Sequence, residues 1–406
     1  MLHTGGSDAP VTTGNYIDGV ARPADGGRTY ALFNPARPDE LVGHAALSSV
    51  SDVDAAVRAA HGAFAAWSRT SYAERAAKLN EVAEYLESGQ DDVDQRARLF
   101  CREHGKPIKE THLEVSRLGE RFRMTAAYAD RLARDEIEHG PPFDTIITRQ
   151  PRGVAMLIVP WNWPLSILGA KLPQALMAGN TVVVKPSELS VLAPGLTLQK
   201  IAEMFPPGVI NIVTGDAAEI GDSLVGHPLV RFVNFTGSVR IGKHVMKVAA
   251  DQMTPVTLEL GGNDAAIVCA DARLDETAFM NMYLGTFMSS GQVCMALKRL
   301  YVHRSRYDEV IEGLEAVCNR MVVGDGLLPD TNMGPVNNAK QLQIITSMIE
   351  QARSAGAEVR ECGQVPDEEL YQKGYFQRPA LVINPDHTLD IVAEEQFGPA
   401  LPVMPF

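Results

Sequence analysis

Between residues 153 and 256 short apolar runs alternate with stretches of helical period. Residues 154–159, Thr181–Lys185, 209–213 and 232–235 read as strands, and 168–178 and 194–204 as helices. Strands apolar on both faces and separated by helices predict a parallel sheet covered on both sides. Upstream, residues 14–48 alternate polar and apolar positions between glycines and prolines, as in Asn15-Tyr16-Ile17-Asp18-Gly19, which predicts an N-terminal hairpin. Ser51 with Asp54 reads as a capping box, and Val53, Ala56, Val57, Ala60 and Phe64 then recur at helical spacing up to Trp67. Further helices are predicted over 73–88 and 109–133. Residues 135–152 break the period with Gly140-Pro141-Pro142 and Thr145-Ile146-Ile147-Thr148, the pattern of a two-stranded excursion. From Thr257 a second α/β unit begins, with strands over 264–269 and 299–302 and helices over 275–289 and 306–321. The fold class is therefore α/β, with two doubly wound parallel-sheet domains.

Length agrees, since 406 residues exceed what one hydrophobic core serves. The formal charge of −13 and the scattered Lys and Arg residues leave no basic stripe for nucleic acid. The first residues, Met1-Leu2-His3-Thr4-Gly5-Gly6-Ser7-Asp8, carry neither a basic nor an apolar leader region, and no apolar run approaches the ~18 residues of a membrane span. No membrane partner is expected, and the location implied is cytoplasmic. The five cysteines are widely spaced without a CxxC pair, and the histidines show no HxH or HxxxH spacing. The expectation is a reduced protein that needs no metal.

Cys294 follows Ser290-Gly291-Gln292-Val293, where Gly291 permits an unusual turn that sets a thiolate near backbone N–H groups. A lone cysteine is otherwise inert core. Glu259 ends a strand-like run before Gly261-Gly262, placed either as a solvated surface group or as a base for water. Asn162, within Pro160-Trp161-Asn162-Trp163-Pro164 at the end of the first core strand, offers a donor for an oxyanion, unless the segment merely closes a turn. A GxGxxG fingerprint is absent. Its substitute is Phe235-Thr236-Gly237-Ser238-Val239-Arg240-Ile241-Gly242, a strand, a glycine turn and a helix start suited to a pyrophosphate. Lys185-Pro186-Ser187-Glu188 sets a cation and a carboxylate at the same sheet edge. They pair on the surface or hold an adenosine ribose, where Glu188 repels a 2′-phosphate and favours NAD over NADP.

In this order, Pro160-Trp161-Asn162, Lys185-Pro186-Ser187-Glu188, Phe235-Thr236-Gly237-Ser238, Glu259-Leu260-Gly261-Gly262, Gly291-Gln292-Val293-Cys294 and Glu394-Glu395-Gln396-Phe397-Gly398-Pro399 resemble the motifs of the aldehyde dehydrogenase superfamily. The resemblance runs from Tyr16 to the C-terminus. It implies that Cys294 forms a thiohemiacetal with an aldehyde, Asn162 steadies the oxyanion, and Glu259 activates the water that releases a carboxylic acid. It assigns Glu395 and Phe397 to the nicotinamide ribose and ring, and Trp161, Ser238 and Gly242 to the pyrophosphate. Lys185, Ser187, Glu188, Gly237 and Leu260 complete the cofactor contacts. NAD is the implied cofactor, with NADP as the other candidate.

The resemblance also implies an organisation: 1–134 as the N-terminal part of a Rossmann-like cofactor domain, 135–152 as an oligomerisation arm, 153–256 as the NAD-binding part and 257–406 as the catalytic domain. A homo-oligomer is expected. The chain stops at Phe406, whereas members of that family continue with further catalytic domain, so a truncated form of a longer product is expected. A second reading is a silent truncated chain that only binds dinucleotide, which retained NAD binding without NAD reduction would support. A CoA-acylating enzyme is a third, against which Glu259 argues.

Overall fold

A computed structural model describes residues 9–406. Met1–Asp8, read above as lacking a leader segment, lies outside the described residues. The chain divides into two compact units. One holds the described residues up to Leu32, Val42–Leu99 and His112–Leu260; the other holds Phe33–Leu41, Phe100–Thr111 and Gly261–Phe406.

The first unit is built on a seven-stranded sheet of β2 (Asn15–Ile17), β3 (Val20–Arg22), β8 (Val154–Ile158), β9 (Thr181–Lys185), β10 (Ile210–Ile212), β11 (Val230–Thr236) and β12 (Val256–Glu259). The order is β12-β11-β8-β9-β10-β2-β3. The first five run parallel, and β2 and β3 close the sheet as an antiparallel hairpin. Val154, Met156, Val183 and Val233 are buried with Val53, Val57 and Ala60 of the helix Val50–Trp67 and with Val245 and Ala249 of the helix Val239–Ala250. The strands are apolar on both faces because both faces are covered. Near the N-terminus β1 (Val11–Thr13) lies beside β5 (Arg37–Ala46), with β4 (Thr29–Asn34) on its other side.

The second unit carries a five-stranded sheet, β13 (Asp264–Val268), β14 (Leu297–Val302), β15 (Glu358–Glu361), β16 (Ala380–Ile383) and β17 (Ala400–Pro405), in the order β13-β14-β17-β16-β15. Only β15 is antiparallel. Leu300, Val302, Leu381, Leu401 and Val403 join Val310, Leu314 and Val317 of the helix Tyr307–Cys318 in its core. This is the two-sheet α/β class expected. The excursion at 135–152 is an antiparallel pair, β6 (Glu136–Glu138) with β7 (Thr145–Ile147), whose Ile137, Phe143, Ile146 and Ile147 are exposed.

Three local expectations need correction. The first helix starts at Val50 after Ser49, and Asp52 closes its capping box by accepting from the Ser49 N–H at 2.9 Å; Asp54 instead pairs with Arg58. The next helix, Tyr72–Glu87, has its own box from Ser71 and Glu74. The long helix predicted over 109–133 is three, Ile108–Ser116, Leu118–Ala126 and Ala129–Leu132. Gly119, inside the second, packs closely on the helix Tyr72–Glu87, where a Cβ would lie 3.0 Å from the Ala83 carbonyl. The helix predicted over 168–178 is two, Pro164–Gly169 and Leu172–Met177, because Pro173 lacks the N–H that would continue the first helix by bonding to Gly169, while it is tolerated in the first turn of the second. Residues 90–104 also form a helix, Gln90–His104, to which the pattern assigned nothing.

Candidate active site

Parallel pairing lines up the predicted residues of the first unit at one edge. Ile158 is in register with Lys185 and with Phe235, and Thr236 with Glu259, so the segments after β8, β9, β11 and β12 all leave the C-terminal edge of the sheet. That is where open α/β sheets bind ligands. Asn162 is buried there. The turn beyond it is held by Glu114, whose carboxylate accepts from the backbone N–H groups of Leu165 (2.8 Å) and Ser166 (3.0 Å) at the start of the helix Pro164–Gly169. Lys185 is buried and pairs with the half-buried Glu188 at 2.9 Å. Ser187 Oγ accepts from the Leu189 N–H. Glu259 is exposed, and its carbonyl accepts from the Gly237 N–H at 3.0 Å.

A dinucleotide fits this edge. Ser238 caps the helix Val239–Ala250, whose first turn carries no acidic residue and whose opening residues are exposed. Gly242 lets that helix approach Leu260, since a Cβ there would sit 2.5 Å from the leucine methyl. The N–H groups of that first turn can receive phosphate oxygens, while Lys185 and Glu188 suit ribose hydroxyls.

Sequence reasoning missed Lys171, which the break before Leu172 presents. Its side chain is buried against the Asn234 side-chain oxygen of β11, beside a pocket of about 310 Å³ lined by Leu157, Ala170 and Phe232. Burial pushes its ammonium down to about 8, partly opposed by the charge of Glu259. The folded pKa thus lies below the ordinary 10.5, so the native state releases this proton before the unfolded chain does. Between about pH 8 and 10.5, stability should therefore move in favour of the wild type relative to Lys171→Met. Melting curves at both ends of that window check this, and a constant difference would refute it.

The second unit gathers its candidates at the opposite polarity. Gly261-Gly262 precedes β13, Cys294 precedes β14 and Phe397 precedes β17, three neighbouring parallel strands entered from the same edge. Ser289, Ser290 and Gly291 have φ of 52°, 57° and 73°, three consecutive left-handed residues before the half-buried Cys294. Gly291 was expected to turn, and a Cβ on it would stand 2.3 Å from the Gly398 carbonyl. That two serines share the conformation was not legible, because serine rarely adopts it without tertiary support. The support is specific. Glu110 accepts from the Ser289 N–H (3.3 Å) and hydroxyl (2.9 Å), and Ser290 Oγ donates to the carbonyls of Gly334 and Pro335. Gln292 bridges the Ser289 carbonyl to the Asn337 N–H. Burial pushes the Glu110 carboxyl upward, against the charge of Lys106 and the Ser289 donors.

Glu395 and Phe397 also meet this edge. Phe397 is left-handed, with φ 52°. Glu395 Oε1 lies 3.3 Å from the Gly262 N–H and 3.3 Å from Lys298 Nζ; its other oxygen fills the space where a Cβ of Gly261 would be, 1.9 Å away. Burial raises the Glu395 carboxyl, and Lys298 opposes the shift. Cys101, Cys318 and Cys362 are buried and Cys269 is exposed. Among the described residues no cluster of three or more His, Cys, Asp or Glu side chains is arranged to hold a metal, and no helix is long and apolar enough to cross a membrane.

Residues 22–406 match the sequence model of the Aldehyde dehydrogenase family. The chain is 38% identical over 393 residues to a 3-succinoylsemialdehyde-pyridine dehydrogenase of Pseudomonas sp, and 35% identical over 394 residues to a glutarate-semialdehyde dehydrogenase of Pseudomonas putida; each alignment covers 96% of this chain and 80% of the relative. Among solved structures it is similar to a putative aldehyde dehydrogenase from Burkholderia cenocepacia, with a TM-score of 0.91, 33% identity and coverage of 97% of this chain and 82% of that one. It is also similar to the betaine aldehyde dehydrogenase of Staphylococcus aureus in complex with NAD+, with a TM-score of 0.90, 31% identity and coverage of 97% and 78%.

Proposed function

Since the chain belongs to the aldehyde dehydrogenase family, whose members oxidise aldehydes to acids with NAD(P), we propose that Cys294 is the nucleophile of that reaction in this protein. The observation that carries this reading is the left-handed turn Ser289–Gly291, fixed by Glu110, Ser290 and Gln292, which delivers a half-buried thiol at a sheet edge. A backbone held away from its ordinary conformations by buried partners marks a place where geometry is maintained for use.

In this reading the Cys294 thiolate adds to the aldehyde carbon, and the Asn162 side-chain N–H and the Cys294 backbone N–H stabilise the resulting oxyanion. NAD, when bound, supplies the acceptor for the hydride that leaves the thiohemiacetal carbon. Glu259 takes a proton from water, which attacks the thioester and releases the acid and the free thiol. Lys185, Ser187 and Glu188 hold the adenosine ribose, Trp161, Gly237, Ser238, Gly242 and Leu260 border the pyrophosphate, and Glu395 and Phe397 set the nicotinamide ribose and ring. The Glu188 carboxylate favours NAD over NADP by repelling a 2′-phosphate. Burial of Asn162, the exposed first turn after Ser238, which carries no acidic residue, and the Lys185–Glu188 pair support these placements.

The test is NADH formation when the protein is mixed with NAD and a panel of aldehydes, with the carboxylic acid identified as product. Failure to form either with any aldehyde would overturn the reading. The arm β6–β7 is proposed to pair with a second copy of the chain through Ile137, Ile146 and Ile147, and the location to be cytoplasmic. Ile146→Asp should shift the sedimenting species to the single-copy mass; an unchanged distribution refutes the pairing.

A further inference from the structure

Lys298 stands on β14, four residues beyond Cys294, with a side chain only 3% exposed. Its ammonium donates to the carbonyls of Val293 and Cys294, each at 2.8 Å, and meets Glu395 Oε1 at 3.3 Å. Three acceptors match the three donors of an ammonium, which compensates a burial that would otherwise be costly. The two carbonyls flank the Cα of the nucleophile. The third acceptor belongs to the residue read above as holding the nicotinamide ribose. Glu395 has little freedom of its own, because Oε1 also meets the Gly262 N–H and the other oxygen lies against Gly261, where a Cβ would collide.

We propose that Lys298 is a positioning residue that ties the peptide of the nucleophile to the cofactor carboxylate, so that one ammonium sets the spacing between Cys294 and the nicotinamide ribose. The inference rests on the roles given above to Cys294 and Glu395. A lysine that merely filled a buried turn would contribute to folding but leave the two sites independent. A lysine that joins them couples them: what binds at Glu395 alters the reactivity of Cys294, and the coupling is reciprocal.

The experiment is a double-mutant cycle on NAD affinity with wild type, Lys298→Met, Glu395→Gln and the double variant, by titration calorimetry. In parallel, the rate of Cys294 alkylation by iodoacetamide is followed by mass spectrometry with and without NAD. Each single substitution should weaken NAD binding about tenfold, the scale of one charge-assisted hydrogen bond, and the double variant should bind no worse than the weaker single. NAD should change the Cys294 alkylation rate several-fold in wild type and leave it unchanged in Lys298→Met. Additive losses in the cycle, or an NAD effect that survives in Lys298→Met, overturn the inference while leaving the functional reading intact. Wild type that binds no NAD overturns the role of Glu395 and the inference with it. Should Lys298→Met melt below the assay temperature, Lys298→Gln keeps a donor and carries the same cycle.

Discussion

Cys294→Ala should abolish aldehyde-dependent NADH formation, a loss of about 10⁴–10⁶ in turnover, since removing a nucleophile costs nearly everything its catalytic unit supplies. None of the other cysteines can replace it. Cys101, Cys318 and Cys362 are buried, and Cys269 follows the C-terminal end of β13, whereas Cys294 precedes the N-terminal end of the parallel β14. NAD affinity should stay within about twofold of wild type, because no cofactor contact is assigned to the thiol. The two measurements separate loss of chemistry from loss of folding. Undiminished turnover would remove Cys294 from the mechanism.

The second large effect belongs to Glu259. Glu259→Gln keeps the shape of the side chain and the carbonyl that accepts from the Gly237 N–H, but removes the base. Attack by the thiol and loss of hydride do not need that base, so the first turnover should proceed and the thioester should persist. Rapid mixing should show a burst approaching one NADH per chain, followed by a steady rate lower by about 10²–10⁴. The acylated Cys294 peptide should be visible by mass spectrometry. A variant that turns over at the wild-type rate, or one that gives neither burst nor adduct, would assign water activation elsewhere.

Much of the sheet architecture was legible because it is written in local composition. Val182-Val183-Val184 and Val154–Ile158 are apolar on both faces, and their ends mark the edge where Lys185 and Asn162 sit. The Gly291 turn was legible for the same reason, since a glycine before a candidate nucleophile announces a backbone others avoid. Residues whose role depends on what surrounds them were not. No motif or spacing marks Lys171 or Lys298, yet both are buried, one beside Asn234 and the other between two carbonyls and Glu395. Glu110 lies far along the chain from Ser289 and meets it only by tertiary folding. The misplaced capping box shows a smaller failure of the same kind: Ser49 with Asp52 and Ser51 with Asp54 both satisfy the spacing, and Asp54 is taken up by Arg58 and His227.

In the second unit each site segment is the lead-in to a parallel strand, which makes the sheet a ruler for the chemistry. A parallel strand advances about 3.3 Å per residue, so a one-residue slip of β14 would carry Cys294 that far along the edge. A misplacement of about 1 Å already costs on the order of 10² in rate. The side chains that prevent such a slip are Leu300 and Val302, both fully buried toward the far end of the strand. Aim at one edge of the sheet is thus maintained by packing several residues away from it, and a loosened core there would be felt as a nucleophile out of range before it was felt as a protein unfolded.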